Sequence, residues 1–188
     1  WRFHEGSGTA ANSSVGAWTG TLTGFADTTA GAGDPIGSSG WATDGGLNFD
    51  DTGSRVETDF PLSSLANTSF TLEFTASHNN AARSWSSVTG RDSGNIFFLS
   101  KESSGTRLHA NLDAETSGGL GRQFSNSSTA VADGKMHHVA VVFDDLNDTQ
   151  RVYFDPQPVG TMTAVTGTLR CDGNLWIGND NLSNFGWD

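Results

Sequence analysis

The chain of 188 residues carries 12 Phe, 6 Trp, 24 Gly and only 4 Pro, an aromatic content that excludes a disordered polymer and fits one turn-rich folded domain spanning 1–188. Its net charge of -11, with ten Lys and Arg spread singly, excludes an electrostatic fit to nucleic-acid phosphate or an anionic membrane surface. The single cysteine, Cys171, rules out an intrachain disulfide, and no apolar run approaches the roughly 18 residues that predict a membrane-spanning helix, so no membrane insertion is expected.

Trp1-Arg2-Phe3 reads as a strand already under way with no Met before it. The expectation is a processed or excised product of a secreted protein whose export signal is gone. Strands follow at Trp18 to Leu22, Leu47 to Phe49 and Arg55 to Asp59, and Pro61 to Ala66 is compatible with one helical turn. In Ser69 to Ser77, Phe70, Leu72, Phe74 and Ala76 share one face and polar residues the other, the period-2 pattern of a half-buried strand. Further strands are expected at Asn95 to Lys101, over Arg107 to Asp113, at His137 to Asp144, Arg151 to Phe154, Gly160 to Val165 and Leu175 to Gly178. The stretch Val139 to Phe143 is apolar on both faces, as a central strand requires. Between these lie Gly-, Asp- and Ser-rich turns such as Asp51 to Ser54 and Asp144 to Thr149. Many short strands with such turns imply an all-β sandwich or barrel.

Six segments occur in one order: WRFHEGSGTA from Trp1, GGLNFDD from Gly45, SFTLEFTAS from Ser69, DGKMHHVAVVFDD from Asp133, RVYFD from Arg151 and NLWIGND from Asn174. Together they resemble the laminin-G-like domains of bacterial extracellular proteins, within the concanavalin A-like lectin/glucanase superfamily, with Met136 standing where that pattern has Trp. The resemblance implies a two-sheet antiparallel jelly-roll β-sandwich with one concave sheet, and carbohydrate or protein recognition outside the cell. It also implies a closing strand after Phe185 that this chain does not show. The expectation is either a truncated fragment or a strand supplied by another chain, which would make unpaired edges an assembly device.

For sugar binding, an aromatic plane ringed by amides, carboxylates and Arg is required. The segment from His78 to Gly94 offers Arg83, Trp85, Arg91 and Asp92, and outward His109 and Asn111 from a nearby strand could join them. The other reading makes Trp85 a core-edge aromatic and the segment a connector. Trp18, Trp41 and Trp176 lie beside strand patterns and read as core or rim packing.

For a metal, Ca²⁺ suits hard oxygen donors at turns. Asp144, Asp145 and Asp148 in one loop, or Asp180 in another, supply them, although the first loop equally fits a solvated hairpin tip. The resemblance adds Glu5 and Asn12 from the opening signature and Asp188 at the close as ligands of one structural Ca²⁺. His137 and His138 are strand neighbours that face opposite ways and cannot chelate together.

No catalytic residues are expected. Sandwich glucanases set their carboxylates on one strand as Glu-x-Asp-x-x-Glu, and no such run occurs. Neither a zinc helix, a phosphate loop nor a nucleophile elbow is present. The five Asn-X-Ser/Thr sequons beginning at Asn12, Asn67, Asn126, Asn147 and Asn181 bear glycans only in a glycosylating host. The function expected is a non-catalytic extracellular recognition or adhesion module for a glycan or cell-surface protein. The alternatives are a structural subunit joined through strand edges and, third, a glycan-cleaving enzyme.

Overall fold

The computed structural model describes residues 1–14, 16–31, 39–43, 45–49, 53–77, 86–91, 97–101, 108–116, 119–126, 133–163, 168–169 and 173–178; within 86–126 and 162–169 it gives backbone and pairing alone. The strands in chain order are β1 (Ala10–Asn12), β2 (Thr19–Thr23), β3 (Gly40–Trp41), β4 (Leu47–Asn48), β5 (Arg55–Pro61), β6 (Phe70–Ala76), β7 (Ser86–Arg91) and β8 (Phe97–Lys101). They continue as β9 (Leu108–Thr116), β10 (Gly119–Asn126), β11 (His137–Asp144), β12 (Thr149–Phe154), β13 (Gln157–Thr163), β14 (Thr168–Leu169) and β15 (Asn174–Ile177). Among the described residues the only helix is a 3-10 turn at Leu62–Leu65, where one helical turn is expected from the sequence. Among the described residues every ladder between named strands is antiparallel, and an isolated parallel bridge joins Ala30 to Trp41.

The chain divides into two compact units. The first, residues 1–61, 86–94 and 174–188, holds a sheet in the order β1-β2-β5-β15-β7 and the small β3–β4 ladder. Its core is Ala11, Leu22, Trp41 and Val56, with Phe3, Phe25, Phe49 and Ile177 packed against them. Trp41 is fully buried and donates its indole N–H to Gly8 O at 2.7 Å, so the largest core side chain leaves no polar atom unpaired. Two glycines are demanded by close approach. A Cβ on Gly20 would meet Val56 Cγ1 at 2.5 Å, and one on Gly178, at φ +103, would meet the Phe49 ring at 2.4 Å.

The second unit, residues 62–85 and 95–173, contains the sheet β13-β12-β11-β6 and the ladders of β8 and β10 on either side of β9, with β14 also pairing β9. β10 lies beside β13 and β12. β11 is an inner strand, and its apolar positions on both faces are buried: Val139, Ala140, Val141 and Phe143. At the edge, β6 alternates between half-buried Phe70, Leu72, Phe74 and Ala76 and exposed Thr71, Glu73 and Thr75, the pattern its sequence predicts.

Several sequence expectations need correction. Trp1 to Phe3 is not a strand. Phe3 takes φ +54, outside the β region, and Gly6 and Gly8 turn the chain at φ +72 and +87, so pairing begins only at Ala10. The segment is anchored instead by Trp1 Nε1 on Ala11 O (3.2 Å) and Gly46 N on Phe3 O (3.0 Å). Ser86 to Arg91, read as loop, is a strand, because Thr89, Gly90 and Arg91 pair with Ile177, Trp176 and Leu175 of β15. Gly119 to Asn126, read partly as turn, forms the long antiparallel partner of β9. Its glycines hide the pattern that tertiary pairing overrides.

Candidate functional site

Three strands of the first unit build a polar trough. On β5, Val56 and Thr58 are buried, while Arg55, Glu57 and Asp59 alternate onto the opposite face. On β2, Gly20 and Leu22 are buried while Thr19 and Thr21 are exposed. The register sets Thr21 opposite Glu57 and Glu57 opposite Trp176, so one row crosses β2, β5 and β15. On β7 the position opposite Trp176 is Gly90. The trough holds about 310 Å³ and is lined by these threonines, Glu57, Thr58, Asp59, Asn174 and Trp176. That volume is at the lower end of the range for small-molecule sites.

The polar groups of the trough fall into two sets. The first set is engaged. Arg55 sends Nε (2.8 Å) and Nη2 (2.6 Å) to Glu57 Oε1, and Nη1 reaches Gly53 O at 3.4 Å. Its guanidinium carbon lies 4.6 Å from the centroid of the Trp176 ring. That cation–π contact and a partly exposed ion pair are each worth about 0–1 kcal/mol. Asp59 takes Thr19 N on Oδ1 (2.6 Å) and Thr19 Oγ1 on Oδ2 (3.0 Å), which locks β2 to β5. The second set has no protein partner among the described residues: Glu57 Oε2, the Thr21 hydroxyl, the Asn174 carboxamide and the Trp176 indole N–H. Trp176 is 8% exposed and Arg55 lies over its ring, so it offers no open stacking face.

None of this set was singled out for sugar binding from the sequence. The alternation of Arg55, Glu57 and Asp59 was visible, but nothing local relates β5 to Thr21 or to Trp176, more than a hundred residues away. Glu57 and Asp59 on one face of β5 approach the glucanase pattern without completing it, and the full run does not occur. β5 carries Glu-x-Asp, and the third acidic position of the glucanase pattern is Leu62, which is buried.

Of the residues expected to bind sugar, Arg83, Trp85 and Asp92 lie outside the described residues. Arg91 ends β7 opposite Leu175. His109 pairs with Ser100 and Asn126, and Asn111 with Phe98 and Phe124, so both stand on β9 two residues apart.

Of the expected metal ligands, Asp180 and Asp188 lie outside the described residues. Glu5 and Asn12 do come together: Glu5 Oε1 accepts the Asn12 backbone N–H at 2.7 Å, and Glu5 Oε2 is buried with no partner. An orphaned buried carboxylate oxygen fits a hard cation. The Asp144 loop fits one less well. Asp144 accepts Asn147 N (3.3 Å) and Asn147 Nδ2 (2.7 Å), which holds its carboxyl below the usual carboxylate range, and Asp145 N donates to Ser69 Oγ. With Asp148 at φ +48, this is a self-capped hairpin tip. Among the described residues no three His, Cys, Asp or Glu side chains converge as a metal-holding group.

The second unit has a different polar cluster. His137 Nδ1 lies 2.6 Å from Asp155 Oδ2 and Nε2 lies 2.8 Å from Asp133 Oδ1, an arrangement in which the doubly protonated ring donates to both. Asp155, opposed by burial and aided by Asp133, raises the His137 pKa above its ordinary value. Reciprocally, His137 and the Lys135 N–H lower Asp133 to about 2, and His137 with the His138 N–H lowers Asp155. His138 Nε2 instead faces Glu73 Oε2 at 3.6 Å, so the two histidines have separate partners.

Residues 50–188 match the family model Laminin_G_3, described as the concanavalin A-like lectin/glucanases superfamily. No curated protein matches the chain. Among solved structures, endo-1,3-beta-glucanase from Streptomyces sioyaensis aligns at 14% identity and TM-score 0.53, covering 94% of this chain and 81% of that one. Domains LG4-5 of the mouse laminin alpha1 chain align at 18% identity and TM-score 0.48, covering 61% and 29%. The Ruminococcus gnavus IT-sialidase CBM40 aligns at 12% identity and TM-score 0.49, covering 66% and 71%. This chain thus spans under a third of the laminin fragment and somewhat over two thirds of the sialidase module. The all-β antiparallel jelly-roll fold is common to lectins and glucanases, and this chain belongs to the concanavalin A-like lectin/glucanases superfamily.

Proposed function

We propose that the chain is a non-catalytic, extracellular recognition module that binds glycan in the trough over β2, β5 and β15. The observation that carries this reading is the cluster of unpartnered hydrogen-bonding groups there: Thr21, Glu57 Oε2, Asn174 and the Trp176 N–H around about 310 Å³ of open space. Hydroxyls, amides and carboxylates beside an aromatic edge are the groups that take sugar hydroxyls. Arg55 and the Asp59–Thr19 bonds supply the support that holds these groups in place. Ca²⁺, in this reading, is held at Glu5 Oε2 with Asp188 as a further ligand and steadies the opening segment. The test is a glycan array run in Ca²⁺ and in EDTA with the wild type, Asn174→Ala and Trp85→Ala. Selective binding lost in Asn174→Ala supports the trough; binding lost only in Trp85→Ala moves the site to the 78–94 segment.

A second reading, glycan cleavage, draws on one observation: Glu57 and Asp59 are two carboxylates on one strand face inside the trough. Against it, Glu57 Oε1 is held by the Arg55 fork, both Asp59 oxygens accept from Thr19, and no acid follows at position 62 to protonate a leaving group. Release of reducing ends from laminarin, abolished in Glu57→Gln, would establish cleavage; laminarin left intact sinks it.

A further inference from the structure

We infer that the trough selects neutral, hydroxyl-rich glycans and rejects carboxylated or sulfated ones; this rests on the reading of the trough as a glycan site. Among the described residues three formal charges line or cap it: Arg55 at +1 and Glu57 and Asp59 at -1 each, a local sum of -1. Arg55 is not available to a ligand anion. Its Nε and Nη2 both lie on Glu57 Oε1, its Nη1 turns to Gly53 O, and its plane covers Trp176. On β7 it is Gly90, and not Arg91, that stands in register with Trp176. Among the described residues no other Lys or Arg lines the trough.

The free hydrogen-bonding groups point the same way. Glu57 Oε2 can only accept and the Trp176 N–H can only donate, while Thr21 and Asn174 do both. A sugar hydroxyl donates and accepts, so a neutral ring can satisfy all four. A ligand carboxylate or sulfate only accepts. Brought beside Glu57 Oε2, it leaves that oxygen unpaired and adds like-charge repulsion in a site partly screened from water. The charge of -11 over the chain adds a longer-range bias in the same direction.

The experiment uses the intact chain against matched array pairs, each a neutral glycan and its counterpart bearing one sialic acid or one sulfate, at low salt and at 0.5 M NaCl. The expected result is retention of the neutral member, at least tenfold weaker retention of the anionic one, and a gap that narrows at high salt as screening sets in. Glu57→Gln removes the charge while keeping an acceptor for Arg55, and is expected to narrow the same gap at low salt with an unchanged melting temperature. Equal or tighter retention of the anionic members, still lost in Asn174→Ala, overturns the selectivity and leaves the trough as the site. Retention of no glycan, or retention indifferent to Asn174→Ala, overturns the site itself.

Discussion

The trough of the first unit and the His137 cluster of the second are both assemblies of polar groups on strands, yet they are finished differently. Around His137 each ring nitrogen has a carboxylate, each carboxylate has a second donor, and the Phe154 ring lies 4.4 Å from the imidazole. His137 joins the turn before β11, through Asp133, to the Asp155 turn after β12. In the trough Arg55 pairs with Glu57 and Asp59 accepts from Thr19, but a hydroxyl, an amide, a carboxylate oxygen and an indole N–H are left without partners among the described residues. A closed network lowers the free energy of the fold and offers nothing to a ligand. An open one adds little to stability and keeps its hydrogen bonds for whatever enters. Polar residues of similar type thus have opposite uses, and partner counting separates them.

The strongest way to break the comparison is to remove the core beneath the trough. Trp41→Ala is expected to cost about 3–5 kcal/mol, read as the urea midpoint, and to abolish glycan retention with it, because the β2–β5–β15 sheet rests on that core. Gly178→Ala comes next. With φ at +103 and the Phe49 ring 2.4 Å from the new Cβ, it should cost about 1–3 kcal/mol or more while leaving every trough side chain intact. A loss of retention beyond what the unfolded fraction explains would show that the end of β15 sets the trough geometry.

Replacing His137 sharpens the other side. His137→Phe is expected to cost about 1–3 kcal/mol and to leave glycan retention unchanged. Its effect should depend on pH in a defined window. The raised His137 pKa means that its stabilisation is complete below the unfolded value near 6.5 and is lost as pH rises through the folded value. Asp133, lowered to about 2, contributes fully above the unfolded value near 4 and loses its contribution as pH falls through about 2. The difference between wild type and variant in urea melts should therefore be greatest between about pH 4 and pH 6.5. A difference constant from pH 5 to pH 9 would remove the charged clamp. The smallest stability effect belongs to Asn174→Ala, expected within about 0.5 kcal/mol of wild type by thermal melting. Its glycan retention should nevertheless fall about tenfold.

Legibility in the sequence followed the range of the interaction concerned. The alternation of Phe70, Leu72 and Phe74 and the doubly apolar run from Val139 to Phe143 announced a half-buried strand and a central strand, because burial imposes its period on neighbouring residues. The Asp144 turn offered two readings, and the hydrogen bonds within Asp144 to Asn147 favour the hairpin tip. β7 and β10 were missed or blurred because glycine and serine interrupt them and their strand character comes from pairing. The trough was missed for a related reason. Trp176 reads as packing, which at 8% exposure it is, and the role proposed for it depends on Thr21 and Glu57 standing in its row.

By itself, then, the sequence determined the all-β class, the central strand and the net negative charge, since each is written in composition or in a period of two, and the order of its six motif segments carried the resemblance to the family. Tertiary structure alone decided that Arg55 is occupied by Glu57 and Trp176, that the opening aromatic segment is not a strand, and which polar groups remain without partners. Those outcomes depend on the register between strands distant in sequence, where a shift of one residue exchanges every side chain between the two faces of the sheet.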